Sequence, residues 1–151
     1  MSDEQQAVFS IEKIYVKDLS VEVPNAPSIF LQAEQPQVEV QLAQASIQAA
    51  DGIYEVTITV TVTAKAGDRT MFLAEAAQSG IFQIRNVAPA DLDPVLATVC
   101  PNILFPYARE TISDVINRAG FPPVLLAPVN FDAMYQQRLA EEQGSRIQVA
   151  G

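Results

Sequence analysis

The sequence contains no histidine and a single cysteine, Cys100, among its 151 residues. Without histidine there can be no histidine-based catalytic triad, no histidine general base and no histidine metal ligand. One cysteine cannot form an intramolecular disulfide, a thiolate zinc site or a CxxC redox pair. The six glycines are too dispersed for a dinucleotide-binding motif or a P-loop. The sequence therefore indicates a protein that is not an enzyme and uses no cofactor and no metal.

Basic residues are also scarce, because 9 Lys and Arg stand against 18 Asp and Glu, for a formal net charge of -9. Nucleic acids and anionic membranes attract clustered positive charge, which this chain lacks. The longest charge-free run, 94–108, is broken by three prolines and is too short to span a bilayer. The polar, acidic start does not resemble a secretory signal. We therefore expect a cytoplasmic protein with no nucleic-acid partner and no direct membrane insertion.

What the chain does contain is enough apolar material for one domain, since 49% of its residues are hydrophobic. We expect a flexible N-terminus over 1–8, a single domain over 9–143 and a flexible C-terminal tail over 144–151.

The first half of the chain alternates polar and apolar residues with the period of two that is typical of strands. In the first strand, the odd positions from Tyr15 to Val23 should share one face. Further strands are expected at 38–42, 53–65 and 69–84. The reversals between them predict an antiparallel sheet. The last of these strands is apolar on both faces, and its small residues favour a subunit interface on the outer face of the sheet over a locally packed loop.

The second half carries helical signals. A first helix is expected from about 91 to 118, interrupted or kinked by Pro101 and Pro106, and a second from about 131 to 143. The expected fold class is therefore α+β.

Two proline-rich segments, 24–36 and 119–131, fit neither pattern and yet carry large apolar side chains. Surface loops are normally polar. An apolar loop either packs back onto the core or lines a groove for an apolar partner. The sequence leaves both possibilities open.

The most distinctive motifs are two long runs, residues 100–110 (CPNILFPYARE) and 126–133 (LAPVNFDA). Shorter motifs lie at 14–20 (IYVKDLS), 22–27 (EVPNAP), 54–56 (YEV) and 80–82 (GIF). In order and spacing these motifs resemble the SecB family of protein-export chaperones, over roughly Phe9 to Gln137.

This resemblance implies a four-stranded antiparallel sheet followed by two C-terminal helices, assembled as a homotetramer that is a dimer of dimers. It also implies an ATP-independent holdase. Such a chaperone binds unfolded precursor proteins in the cytoplasm, keeps them translocation-competent and delivers them to the SecA motor ATPase.

The resemblance also implies two protein-contact surfaces. SecA would dock on an acidic patch of the outer sheet face, at the matching positions Asp18, Glu22, Leu73 and Glu75. The tetramer is expected to use the outer sheet face around Ala74, Ala76 and Gln78, together with the first long helix.

The client groove is expected to be walled by the segments 24–36 and 119–131. Its candidate contact residues are Phe30, Leu31, Phe121, Leu125, Leu126, Phe131, Met134 and Tyr135. Simple core packing is the alternative role for each of them. Many weak apolar contacts can sum to a useful affinity without a rigid pocket, and the negative net charge favours basic clients.

The chain departs from the family's usual pattern at two places. Glu34 stands where many relatives carry a tryptophan, so we expect a shallower or less apolar groove. The residues 143–151 contain no acidic side chain, whereas relatives often end in an acidic tail.

Two other functions stay open at this point. One is an antitoxin-associated chaperone of the same fold that serves a single dedicated client. The other is a carrier whose helices and sheet enclose a small hydrophobic ligand.

Overall fold

In a computed structural model, the chain folds into one antiparallel sheet with helices on one of its faces. The structure describes residues 6–32 and 34–150, with the backbone alone for 145–150. Part of the expected flexible N-terminus, residues 1–5, lies outside this range. The strands are β1 (Val8–Glu22), β2 (Gln37–Ala50), β3 (Ile53–Ala66) and β4 (Arg69–Arg85), in the spatial order β1-β4-β3-β2. The predicted α+β class and four-stranded antiparallel sheet are confirmed.

Tight turns make β2, β3 and β4 a continuous meander. Gly52 and Gly67 occupy these turns with φ of 70° and 61°, a left-handed conformation that glycine adopts without strain. The connection from β1 to β2 is longer and crosses to the other edge of the sheet. Both edges of the sheet, β1 and β2, are therefore open along their outer sides.

Irregular pairing in β1 changes which of its residues face the helices. The register against β4 shifts between Ile11 and Lys13 and again between Val16 and Asp18. Tyr15 therefore shares a face with Asp18, opposite to Leu19. The prediction that the odd positions from Tyr15 to Val23 lie on one face was wrong, because a bulge adds one residue and reverses the alternation.

The helices follow the sheet as α1 (Pro89–Pro94), a π-helical turn (Val95–Val99), α2 (Cys100–Arg118) and α3 (Phe131–Ala150). The expected interruption at Pro101 is confirmed, since the π-helical turn ends two residues before it, whereas α2 runs through Pro106 without interruption. Proline lacks an N–H and its ring clashes with the preceding turn, and a π turn accommodates both effects. The expected boundary at residue 143 falls inside α3. No helix in the described part of the chain combines the length and apolarity needed to cross a membrane.

The core lies between α2 and the two central strands. Ile58, Val60 and Phe82 of the sheet and Leu104 of α2 are fully buried. Gly80 brings the layers close, because a Cβ at this position would lie 2.8 Å from the Phe82 ring and 3.0 Å from Leu104 Cδ2.

The residues predicted for the tetramer contact lie in this core. Ala74, Ala76 and Gln78 are buried on the helix-covered face of β4, opposite to Leu73 and Glu75. Their predicted position on the outer face was wrong, because side chains alternate along the strand and α2 covers the even-numbered ones. Gln78 accepts a hydrogen bond from Thr111 of α2 at 3.0 Å.

Candidate functional site

An apolar cavity of about 310 Å³ opens beside the edge strand β2. Two elements of the fold make its floor: the helix-facing residues Val40 and Leu42 of β2, and Val60 of β3. Phe105 of α2 and the segment 124–129 between α2 and α3 complete it. All of these side chains are apolar, so the cavity can bind through burial of apolar surface.

The segment that covers this cavity is kept irregular by its sequence. Gly120 ends α2 with φ of 97°, and its N–H donates to the Asn117 carbonyl at 3.1 Å. Three prolines between this point and α3 prevent a continuous helix. The result is an extended wall in which Leu126 is buried while Leu125 is 84% exposed.

Aromatic stacking joins the two apolar loops at the end of α2. The Phe30 ring lies 5.1 Å from the Phe121 ring, and Phe121 lies 4.8 Å from Phe72 of β4. Hydrogen bonds fix the start of the connection from β1 to β2. Asn25 donates to the Thr70 carbonyl at 2.9 Å, and Arg69 donates to Ser28 at 2.7 Å. The sequence left two alternatives open for these loops, and the structure contains both, since each loop packs on the core and exposes apolar surface.

The predicted groove residues divide into two groups. The buried ones are Phe121, Leu126, Phe131 and Tyr135. The exposed ones are Phe30, Leu31, Leu125 and Met134. Leu125 and Leu126 line the cavity, and Phe131 packs edge-on against Phe105, with the rings 6.0 Å apart.

Val40 and Leu42, the part of the cavity floor that β2 supplies, were not predicted from the sequence. Their signal was present in the alternating pattern of β2. What could not be read from the pattern is that β2 is an edge strand that α2 leaves partly uncovered, so that Val40 remains 46% exposed.

A second, polar cavity of about 190 Å³ lies further along β2. It is lined by Gln44, Ala45, Ser46, Asp93, Leu96, Ala97 and Arg138. Beside it, the Tyr135 hydroxyl donates to Asp93 Oδ2 at 3.0 Å, and Arg138 Nη2 approaches the same oxygen at 3.3 Å. Burial and the hydrogen bond to the Asp93 carboxylate raise the pKa of Tyr135.

The four positions predicted for SecA docking lie together on the outer face of the sheet. β1 residues Asp18 and Glu22 pair with Ala77 and Leu73 of β4, and Ser20 pairs with Glu75. Thr61 of β3 donates to Glu75 at 2.8 Å. This face carries no helix, which leaves the carboxylates accessible to a partner.

Glu39 belongs to the same surface and was not anticipated. Through the ladder, Glu22 pairs with Leu73, Leu73 with Thr63, and Thr63 with Glu39 of β2. The acidic surface therefore extends across all four strands. Strand order, which the alternation of residues does not specify, brings the two glutamates into one row.

A polar cluster marks the other end of the outer face. Glu55 accepts hydrogen bonds from the Tyr15 hydroxyl and from Lys17 Nζ, the latter at 2.7 Å. The bond from Lys17 is the main cause that holds the pKa of Glu55 below its usual value, and the bond from Tyr15 adds to it. Burial, with the neighbouring carboxylate, raises the pKa of Tyr15 to about 12.

The one thiol of the sequence has no access to solvent. Cys100 is fully buried, and burial raises the pKa of its thiol to about 12. Such a thiol stays protonated and unreactive at neutral pH. Within the described residues, no group of three or more His, Cys, Asp or Glu side chains is arranged to hold a metal ion.

Comparison with known proteins gives consistent results. The profile of the family described as preprotein translocase subunit SecB matches residues 2–142. The protein-export protein SecB of Chromobacterium violaceum is 65% identical over 144 residues, covering 94% of this chain and 96% of the relative. That of Neisseria meningitidis serogroup B is 58% identical over 143 residues, covering 94% and 97%.

A solved structure shares the fold. It is a SecB-like chaperone from Mycobacterium tuberculosis in complex with an antitoxin peptide, with a TM-score of 0.68 and 19% identity over 81% of this chain and 91% of that one. The family match and the close relatives agree with the motifs identified in the sequence. The chain belongs to the SecB family of protein-export chaperones.

Proposed function

We propose that this protein is an ATP-independent holdase that binds unfolded precursor proteins in the cytoplasm and keeps them competent for export. The observation that carries this proposal is the apolar cavity between β2 and the segment 124–129, with Leu125 exposed at its rim. A chaperone for many clients must recognise features common to unfolded chains, which are apolar side chains and unpaired backbone. The cavity supplies apolar contacts, and the free edge of β2 supplies backbone donors and acceptors beside it.

The same proposal assigns no catalytic step to the protein. The sequence has no histidine, and the thiol of Cys100 is buried and protonated. Binding and release of clients then depend on affinity alone. A single domain over 9–143 is enough for this role.

Delivery to SecA is proposed to use the outer face of the sheet. Asp18, Glu22, Leu73 and Glu75 share this face, and Glu39 adds a carboxylate in the same row. A flat acidic surface with one apolar side chain suits a basic partner surface that buries a small apolar contact.

Assembly into a homotetramer is supported by apolar surface on the helix side of β1. Phe9, Val16 and Leu19 are each more than 40% exposed, and Tyr107 of α2 is half exposed. A second copy would cover this surface. The proposal predicts a mass of about four chains in solution, and a monomeric protein would contradict it.

Client binding can be tested by fluorescence anisotropy without nucleotide, using a permanently unfolded basic polypeptide and its folded counterpart. We expect capture of the unfolded form only. Leu125→Ser should weaken the affinity about tenfold, because it removes one large apolar contact. The matched control is Ile47→Ser, which removes another exposed apolar side chain, from the outer face of β2, and should leave the affinity unchanged.

Two results would contradict the holdase proposal. One is equal binding of folded and unfolded polypeptides. The other is a protein that ignores both but co-purifies with a small hydrophobic molecule, which would identify a carrier instead.

A further inference from the structure

The two cavities beside β2 lie in series along one face of the strand. Val40 and Leu42 belong to the apolar cavity, whereas Gln44 and Ser46 belong to the polar one. These four residues alternate with a period of two and therefore point to the same side. From Val40 to Ser46 the strand extends about 20 Å, enough for a stretched peptide of six or seven residues.

Helix α3 touches the lining of both cavities and packs on the π-helical turn. Phe131, in its first turn, packs against Phe105 of the apolar cavity. Arg138, two turns later, lines the polar cavity. Tyr135 is buried between these two positions of the helix.

Polar contacts attach this part of α3 to the residues before the π-helical turn. The Tyr135 hydroxyl and Arg138 both bond to Asp93 Oδ2, and the Arg138 guanidinium lies 5.0 Å from the centre of the Tyr135 ring. The Asp93 side chain is 66% exposed and that of Arg138 is 45% exposed. Ion pairs as exposed as this one are weak and sensitive to salt, so the attachment is reversible.

Gln44, which lines the polar cavity, carries an unused hydrogen-bond acceptor beneath the surface of the cavity. Gln44 Oε1 is buried and has no hydrogen-bond partner within the described part of the chain. A buried acceptor without a donor is costly. An extended peptide lying along β2 carries backbone N–H groups that would satisfy it.

We infer that Asp93, Tyr135 and Arg138 form a polar latch that holds α3 closed between the apolar and polar cavities. When the latch opens, the cavities join into one groove along β2. An unfolded client segment can then extend past Leu42, and Gln44 accepts one of its backbone N–H groups. The inference rests on the proposed binding of unfolded proteins and adds the element that controls the length of the groove.

Hydrogen exchange tests the latch without any client. Asp93→Ala removes the shared acceptor, and Tyr135→Phe removes one donor while keeping the ring. We expect amide exchange across 132–142 to accelerate about threefold in Asp93→Ala, and less in Tyr135→Phe. The control is Asp114→Ala, which removes the exposed carboxylate that pairs with Arg118 at 2.9 Å on α2. Equal exchange in Asp93→Ala and Asp114→Ala would overturn the latch.

Client affinity tests the joining of the cavities. The permanently unfolded basic polypeptide should bind Asp93→Ala about threefold more tightly than the parent, because the penalty for opening is removed. Adding Gln44→Met should cancel most of this gain. Faster exchange with unchanged client affinity would overturn the joined groove. Failure of the parent protein to bind any unfolded polypeptide would instead refute the proposed function, while the exchange experiment would still decide the latch.

Discussion

The two faces of the sheet are built by the same four strands and differ in chemistry, most clearly in β3. In β3, Val60 and Val62 are fully buried under α2, whereas their neighbours Thr59 and Thr61 lie on the face without helices. Threonine keeps the β-branched shape that favours a strand but leaves a hydroxyl in contact with water. One alternating pattern therefore satisfies the strand and separates two tasks, with stability on the covered face and SecA docking proposed for the open one.

The groove lies where the covered face is no longer fully covered. At the centre of the sheet α2 buries the apolar side chains, but at β2 the same face is only partly shielded by the segment 124–129. Apolar surface that would be core in the middle of the sheet stays accessible at its edge, where the client groove is proposed.

The largest effect should come from the covered face. Leu104→Ala removes a fully buried side chain of α2 and should lower the free energy of unfolding by about 3 kcal/mol. Thr59→Ala on the open face should change it by less than about 1 kcal/mol. Urea unfolding at one fixed protein concentration measures both. Similar losses in the two variants would refute the division of tasks between the faces.

The next largest effect on stability should come from the close contact between the sheet and α2 at Gly80. Gly80→Ala places a methyl group too close to Phe82 and Leu104 and should cost about 2 kcal/mol of unfolding free energy. Gly144→Ala is the control, because no atom lies within 4 Å of its added methyl group. In a Leu104→Ala background the cost of Gly80→Ala should shrink. Full additivity in the double variant would show that the two residues do not compete for space.

A smaller effect should appear in the polar cluster of the open face. The pKa of Glu55 is lower in the folded protein than in the unfolded chain, so its ionised form stabilises the fold above the unfolded pKa. This stabilisation is lost as the pH falls through the folded pKa. Glu55→Gln should therefore cost about 1 kcal/mol of unfolding free energy at pH 7. The difference from the parent should close under acidic conditions.

Chemical unfolding at pH 7 and at several pH values below 5 measures this dependence. Glu39→Gln serves as the control on the same face. A penalty for Glu55→Gln that stays constant down to the lowest pH would contradict the role of its charge.

The smallest effect on stability should come from the acidic surface. Asp18→Lys combined with Glu75→Lys should change the free energy of unfolding by less than about 1 kcal/mol, since Asp18 is exposed and the partly buried Glu75 loses only its hydrogen bond from Thr61. The same variant should weaken SecA binding at least tenfold if this face is the docking surface, because two attractive charges become repulsive.

Asp51→Lys combined with Glu141→Lys changes the net charge equally at exposed positions away from the patch. Calorimetric titration with SecA should leave this control close to the parent. Equal loss of affinity in both double variants would indicate a net-charge effect instead of a docking site.

Local alternation predicted β3 and β4 well, because each residue's face depends only on its neighbours, but it found only 38–42 of β2, which runs over Gln37–Ala50. It failed where one extra residue enters. The bulge between Val16 and Asp18 leaves no local signature, yet it decides that Tyr15 faces the same way as Asp18. Asp18 and Glu22 were nevertheless placed together correctly, since both follow the bulge.

The site was predictable in part. Large apolar side chains are unusual in proline-rich loops, so the sequence indicated Leu125 and Leu126, and both line the apolar cavity. By contrast, Ala74 and Ala76 were assigned to the wrong face, because β4 is apolar on both sides and its pattern gives no direction. The contact between Asp93 and Arg138 joins residues far apart in the sequence, so no local pattern indicates it.

The strand order β1-β4-β3-β2 has a consequence for synthesis. The ribosome makes β1 before the other three strands, but among the described residues β1 pairs with β4 alone, which emerges after the whole of β2 and β3. During that interval β2 and β3 can already close as a hairpin through the turn at Gly52, whereas β1 has nothing to pair with. A protein proposed to shield unpaired segments of other chains thus has an unpaired strand of its own during part of its synthesis.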